Sequence, residues 1–129
     1  MKLATVNGVE SGNKSRLILA EATVENGEIK NSSLNTLRAI EQPYRNHNGG
    51  HLLGIGNNQY LWGLGDGGGS DDPHQNGQNT SNPHGAIHLF HYINNSISPV
   101  INESDSDPYI LHSGLRNPWK FDVDNEGRL

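Results

Sequence analysis

The sequence predicts an all-β protein of about eight short strands. Its apolar residues fall in brief runs, and the segments between these runs are rich in Gly, Asn, Asp and Pro, which are typical turn formers. The chain has 129 residues, of which 32% are hydrophobic, 16 are Gly and 6 are Pro. This composition predicts one domain with many loops and a thin core, and the clustering of the apolar residues argues against disorder.

The first two predicted elements lie on either side of a turn. Residues 16–24 are rich in branched and apolar side chains, which favours a strand, and the following Asn26-Gly27 is a strong hairpin signal. Residues 34–41 could form a strand or about one and a half helical turns, and we favour the strand. Pro43 ends this element in either case, because a proline keeps the preceding residues out of the helical region.

The centre of the chain predicts a hairpin. Its strands are residues 51–55 and 60–64, and Gly56-Asn57-Asn58 forms the turn between them. A polar tip at residues 46–50 leads into the first strand, and a glycine loop at residues 65–69 leaves the second. Antiparallel neighbours bring the start of one strand beside the end of the other, so we expect the tip and the loop at the same edge of the sheet.

His47 in the tip and Asp66 in the loop are therefore predicted to be neighbours. A histidine within reach of a buried carboxylate is held in one tautomer and can act as a base. The alternative is that His47 is an ordinary polar loop residue and that Asp66 is a turn former before the glycines. The residue types by themselves leave both interpretations open.

Three further strands are predicted after a long polar connection at residues 70–85. They are residues 86–92, 109–112 and 119–123, the last of which alternates apolar and polar side chains as a half-buried strand does. A polar connection of this length is usually functional or disordered. Residues 128–129 resemble the beginning of another strand, so we expect the chain to be a fragment.

Strands at this spacing are typical of a sandwich, a barrel or a propeller. A propeller blade takes about 40–45 residues, so the chain would hold about two to three blades, whereas a closed ring needs about four or more. In the propeller case, residues 1–129 would be one partial β-propeller domain that is truncated at both ends, and the sandwich and the barrel stay open at this point.

Composition argues against several classes of function. The net charge is −5 and no basic stripe is present, which argues against nucleic acid and anionic membranes as partners. The sequence has no cysteine and so provides no disulfide, thiolate metal site or cysteine nucleophile. No apolar run approaches the roughly 18 residues of a membrane span, and no signal peptide is visible.

Two glycine-containing motifs suggest ligand contacts. The loop at residues 65–69 lacks the lysine of a phosphate-binding loop and is not followed by a predicted helix, so we reject a phosphate site. Arg116 and Asn117 follow a predicted turn and place a guanidinium beside an amide, which suits a ligand with several carboxylates. An ordinary surface turn with a solvated arginine is the alternative.

Two patterns resemble metal-binding motifs. His84, His88 and His91 do not converge on one face of a strand, so a metal site is not favoured there. Residues 122–127 resemble the first half of a calcium loop, but no helices are predicted beside them and a hairpin turn is favoured.

Five short motifs occur in an order that is found in one protein family. They are NHNGG at residues 46–50, LGDGGG at 64–69, DPH at 72–74, GQN at 77–79 and GLRNPW at 114–119. The chain resembles the aldose sugar dehydrogenases that depend on pyrroloquinoline quinone (PQQ), that is, the family of soluble quinoprotein glucose dehydrogenase and sorbosone dehydrogenase. The likeness covers residues 16–129 and implies about two to three blades of a six-bladed β-propeller.

The resemblance also implies roles for individual residues. His47 matches the general base that takes the proton of the sugar's anomeric hydroxyl while hydride passes to PQQ, and Asp66 matches the carboxylate that orients this histidine. Arg116 and Asn117 match contacts to PQQ. Asn46 and Gln78 match contacts to the substrate.

The resemblance further implies PQQ and calcium as cofactors, an aldose as substrate, an external electron acceptor, and a periplasmic or secreted location. The calcium ligands and further basic contacts to the quinone are expected outside this chain, so the isolated chain is expected to be inactive. Two alternatives stay open: a propeller that binds a partner without catalysis, and an inactive truncated product with exposed strand edges.

Overall fold

The computed structural model describes residues 1–129 except residues 10, 11, 13 and 102–104. Within the described residues the chain forms ten β-strands and two single turns of 3-10 helix. The strands, numbered β1 to β10 in chain order, are Lys2–Val9, Ser15–Ala22, Val24–Glu25, Glu28–Ile29, Asn35–Gln42, Gly49–Gly56, Gln59–Leu64, Ala86–Ile93, Ser96–Pro99 and Ile110–His112. The prediction of an all-β fold is confirmed.

The described strands form two main sheets and one short hairpin. The first sheet has the order β1-β2-β5, and the second has the order β10-β8-β7-β6, with β9 also paired to β8. The strands β3 and β4 pair with each other. All of these described pairs are antiparallel.

Three hairpins turn at pairs of residues with positive φ angles. The pairs are Asn26-Gly27, Asn57-Asn58 and Asn94-Asn95, and their φ angles lie between 51° and 84°. Positive φ at both central residues is the mark of the type I′ turn, whose twist fits a two-stranded hairpin. The first two turns are the predicted ones, whereas the third joins β8 and β9 in a segment that the sequence predicts to be a loop.

One core cluster joins the two main sheets. Its fully buried members come from β2, β5, β7 and β8 and are Leu17, Leu19, Ile40, Trp62, Leu64 and Phe90. Burying each such side chain contributes about 1.5–3 kcal/mol relative to leaving it in water. The chain therefore concentrates its small apolar content between the sheets.

Polar side chains also pair across this boundary. The Trp62 indole N–H donates to Thr5 Oγ1 at 3.2 Å, and the Tyr92 hydroxyl donates to Glu21 Oε2 at 2.5 Å. Glu21 is only 2% exposed and also accepts from Asn35 Nδ2. These hydrogen bonds, first that from Tyr92, lower the pKa of the Glu21 carboxyl, and the same pairing raises the pKa of Tyr92 to about 12.

Residues 119–123 do not form the predicted strand. Phe121 packs into a second apolar cluster with Leu61 and Ile87, and its ring meets the ring of His51 edge-on at 4.7 Å. A Cβ at Gly63 would lie 2.3 Å from the carbonyl oxygen of Pro118 and 2.8 Å from the ring of Phe121. The segment therefore lies over β7, and its apolar–polar alternation reflects this packing and not pairing in a sheet.

Residues 128–129 are not assigned to a strand, and one strand was missed from the sequence. Residues 128–129 follow the turn at residues 125–127, and the Asp124 N–H donates to the carbonyl oxygen of Arg128 at 2.9 Å. The strand β1 was not predicted from the sequence. It nevertheless pairs along its whole length with β2, from Lys2 opposite Ala22 to Val9 opposite Ser15.

Candidate active site

The candidate site lies where β6 begins and β7 ends. These strands are antiparallel neighbours, and Gly49 at the start of β6 pairs with Leu64 at the end of β7. His47 precedes β6 and Asp66 follows β7, so both lie at one edge of the sheet. His47 Nδ1 is 3.1 Å from Asp66 Oδ1. The prediction that these two residues are neighbours is confirmed.

The chemistry of the partners fixes the tautomer of His47. A carboxylate only accepts hydrogen bonds, so Nδ1 of His47 is the donor, and in the neutral imidazole Nε2 is then the nitrogen with a free lone pair. The Asp66 side chain is 3% exposed, whereas the His47 side chain is 23% exposed. A buried carboxylate thus holds a partly exposed imidazole whose second nitrogen can accept a proton.

The buried carboxylate of Asp66 has three donors. Oδ1 accepts from the Gly68 N–H at 2.9 Å as well as from His47, and Oδ2 accepts from Arg116 Nη1 at 3.3 Å. The Asp66 N–H also donates to the carbonyl oxygen of Arg116 at 2.8 Å. A buried charge is costly unless it is paired and hydrogen-bonded, and these contacts meet that requirement.

Arg116 and Asn117 complete the cluster. The Arg116 side chain is 55% exposed, and its guanidinium has five N–H donors, so it can contact a ligand while it stays bonded to Asp66. Asn117 Oδ1 accepts from the Gly49 N–H at 3.0 Å and so holds the start of β6. Trp119 follows closely in the chain and is 67% exposed. The contacts of Arg116 to Asp66 argue against a merely solvated arginine.

Two glycines allow the backbones around the site to approach closely. A Cβ at Gly65 would lie 1.7 Å from the carbonyl oxygen of His47. Gly68 has a φ of 86°, and a Cβ there would lie 2.1 Å from Asn46 Oδ1. Asn46 therefore lies against the glycine loop, next to the His47–Asp66 pair, and side chains at residues 65 and 68 would push this part of the site apart.

Gln78 lies beside this cluster and not within it. It is exposed and ends a single 3-10 turn, Asn76–Gln78, in the long polar connection between β7 and β8. Its Nε2 lies 3.5 Å from where a Cβ of Gly114 would stand. Gln78 also lines a surface cavity of about 540 Å³ with Asp71, Asp72, His74, Gln75 and Asn79. His47, Asp66 and Arg116 do not line that cavity.

A second buried polar cluster was not predicted from the sequence. His88 is fully buried, its Nε2 lies 2.8 Å from the carbonyl oxygen of Pro83, and its Nδ1 lies 3.0 Å from Arg38 Nη1. Arg38 Nη2 donates to Asp107 Oδ2 at 2.6 Å. Burial, and secondly the charge of Arg38, lower the pKa of His88 to about 4. These contacts connect the two sheets.

Comparison with known proteins finds no match. No protein-family model, no curated protein and no solved structure is similar enough to this chain to be matched. In the described part of the chain, no three or more His, Asp or Glu side chains are grouped so that they could hold a metal ion. None of the helices in the described residues is long and apolar enough to cross a membrane. A functional proposal therefore depends on the motifs and on the geometry of the cluster.

Proposed function

We propose that this chain is part of a PQQ-dependent sugar dehydrogenase built as a six-bladed β-propeller, and that it supplies the base for oxidation of an aldose to a lactone. The observation that carries the proposal is the cluster in which a buried Asp66 carboxylate binds the His47 imidazole on one oxygen and the Arg116 guanidinium on the other. A turn former in an ordinary loop needs neither partner.

The proposed role of His47 follows from its hydrogen bond. Nε2 takes the proton of the sugar's anomeric hydroxyl, while Nδ1–H stays bonded to Asp66. The imidazolium that forms is stabilised by the adjacent carboxylate, which also keeps the ring from rotating. When bound, PQQ supplies the redox chemistry, because its quinone accepts the hydride that leaves the anomeric carbon. We also propose an external electron acceptor as a partner.

The residues at this edge fit a tricarboxylated quinone. Arg116 is more than half exposed and is anchored by Asp66, so its remaining donors are available to carboxylates in a bidentate arrangement. Asn117 lies beside it and would contribute its amide. By the same resemblance, we propose that the calcium ligands lie outside this chain.

The sheet topology supports the propeller part of the proposal. A propeller blade is an antiparallel sheet of four strands. The strands β6, β7 and β8 follow one another in space as in sequence, and β9 or β10 adds the fourth position beside β8. The sheet β1-β2-β5 would belong to a neighbouring blade. By the same resemblance we propose a periplasmic or secreted location.

The test uses the full-length natural protein loaded with PQQ and Ca²⁺. His47→Ala should lower the rate constant for aldose-dependent reduction of a dye by about 10²–10⁴-fold, because a positioned base contributes a factor of that size. The matched control is His112→Ala, since His112 is exposed at the end of β10 and should leave the rate unchanged.

Two results would contradict the proposal. Dye reduction that survives His47→Ala unchanged would remove His47 as the base. A full-length protein that neither binds PQQ nor oxidises any aldose would argue for a propeller that binds a partner without catalysis.

A further inference from the structure

Asn76 is a polar residue that is only 9% exposed, in the long polar connection after β7. Its Nδ2 donates to the main-chain carbonyl oxygen of Asp66 at 2.9 Å, and its Oδ1 accepts from Asn82 Nδ2 at 3.2 Å. The carbonyl of Asp66 can only accept and the NH₂ of Asn82 can only donate, so the two partners fix the orientation of the Asn76 amide.

The carbonyl that Asn76 holds is the last one before the three glycines of the loop. Asp66 is followed by Gly67, Gly68 and Gly69, whose φ angles are 85°, 86° and 80°. Consecutive glycines have more conformational freedom than any other residues, so this loop needs contacts from outside to keep one conformation. The Asp66 N–H is held by Arg116, and the Asp66 carbonyl is held by Asn76.

Asn76 is itself held in place by its own loop. Asp72 Oδ1 accepts from the Asn76 N–H at 2.8 Å, and Asp72 Oδ2 accepts from the Gly77 N–H at 2.9 Å. Asn82 Oδ1 accepts from the His84 N–H at 3.1 Å. Asp72 thus holds the main chain of Asn76, and the His84 N–H holds Asn82, which is the side-chain partner of Asn76.

We propose that Asn76 is a positioning residue for the His47–Asp66 pair. By holding the Asp66 carbonyl, its amide keeps Asp66 Oδ1 directed at His47 Nδ1 and so keeps the imidazole in the tautomer with a free Nε2. The catalytic meaning of this inference rests on the proposed function. The effect on the tautomer does not, because it can be measured without any enzymatic activity.

The experiment replaces Asn76 by Leu, which has the same branched shape but no hydrogen-bonding group and no charge. The ¹⁵N signals of the His47 ring report which nitrogen carries the proton. We expect a single Nδ1–H tautomer in the natural protein and a mixture of tautomers in Asn76→Leu. In the protein loaded with PQQ and Ca²⁺, kcat should fall about tenfold or more while KM for the aldose changes little. Thr80→Val is the control in the same connection, because Thr80 is exposed and the change removes a hydrogen-bonding group while it keeps the shape of the side chain.

A folded Asn76→Leu protein that keeps the natural ring signals of His47 would overturn the inference. If Asn76→Leu does not fold, the ring signals of His47 are measured in Asn82→Asp instead. This change removes the donor to Asn76 Oδ1 and keeps the side-chain oxygen that accepts from the His84 N–H. Unchanged His47 signals in Asn82→Asp would likewise overturn the inference. If the tautomer changes in Asn76→Leu but the natural protein oxidises no aldose, the positioning role stands and the proposed function fails.

Discussion

Arg38 of the first sheet donates to Nδ1 of His88 in the second sheet, at 3.0 Å. The other ring nitrogen of His88 must carry a proton, because it faces the carbonyl oxygen of Pro83, which only accepts. The guanidinium also lies 4.3 Å from the centre of the Tyr109 ring and pairs with Asp107. One neutral imidazole and one arginine therefore join the two sheets and the loop before β10.

This relationship predicts that the protein loses stability in mild acid. The charged groups near His88 are Arg38, Asp107 and His84, and with burial they place its pKa at about 4, against 6.5 in the unfolded chain. Below pH 6.5, His88 binds a proton in the unfolded state but stays neutral in the folded state. The free energy of unfolding therefore falls as the pH falls from 6.5 to about 4. The loss should approach about 3 kcal/mol.

Urea unfolding at several pH values in this window measures the effect. His88→Gln should give a flatter dependence of the unfolding free energy on pH. The pKa of the Glu21 carboxyl is lowered from 4.5, so its contribution to stability is lost as the pH falls below about 4.5, and the change between pH 6.5 and 4.5 reports on His88. A natural protein with constant stability between pH 6.5 and 4.5 would contradict the prediction.

Tyr92→Phe should destabilise the fold by about 1–2 kcal/mol, because it removes a hydrogen-bond donor from the buried carboxylate of Glu21. The hydrogen bond from Asn35 to the same carboxylate is kept. The midpoint of urea unfolding measures the change. Tyr60→Phe is the control, since the Tyr60 ring stacks on Phe90 and this packing is kept. Equal stability of the two variants would show that the Tyr92 hydroxyl does not stabilise the joint between the sheets.

Gly65→Ala should disrupt the site, because the new methyl group would lie 1.7 Å from the carbonyl oxygen of His47. We expect a loss of stability of about 3 kcal/mol, which is typical of overpacking at a rigid position, and a displaced His47. Gly8→Ala is the control in β1, where a Cβ meets nothing closer than 3.8 Å. Thermal unfolding and the His47 ring signals measure both effects, and a Gly65→Ala variant with natural stability would be inconsistent with this packing.

Arg116→Lys should weaken binding of PQQ about tenfold to 100-fold, since a lysine cannot pair with a carboxylate through two donors. Titration of the full-length protein with PQQ, followed by absorbance, measures the dissociation constant. Arg128→Lys is the control, because Arg128 is 70% exposed and pairs with Asp124 in the last turn. This prediction rests on the proposed function, and equal affinity of both variants would remove Arg116 from the cofactor site.

Local patterns predicted the parts of this fold that depend on neighbours in sequence. Asn26-Gly27 and Asn57-Asn58 form the expected turns, and antiparallel pairing was enough to place His47 beside Asp66. The alternation at residues 119–123 fits the partial burial of Phe121 and Val123, but Trp119 is exposed and the segment does not pair as a strand. Packing over a sheet and pairing within one give the same alternation.

The contacts that were missed join distant parts of the chain. Arg38 and His88 are separated by 50 residues, and only the packing of the two sheets brings them together. Asn76 belongs to a polar connection without periodicity, so the sequence alone does not distinguish it from the nearby Asn79. The role of such an amide depends on which main-chain carbonyl it reaches, and no local pattern encodes that.

The two tryptophans of the chain have opposite environments, and this gives the protein a built-in optical probe. Trp62 is 1% exposed in the core, so its fluorescence should lie at short wavelength and resist quenching by iodide until the sheets separate. Trp119 is 67% exposed and follows Asn117 by two positions, so its emission should lie at long wavelength and be quenched readily. A single spectrum therefore distinguishes events at the site's edge from opening of the core, with no label attached.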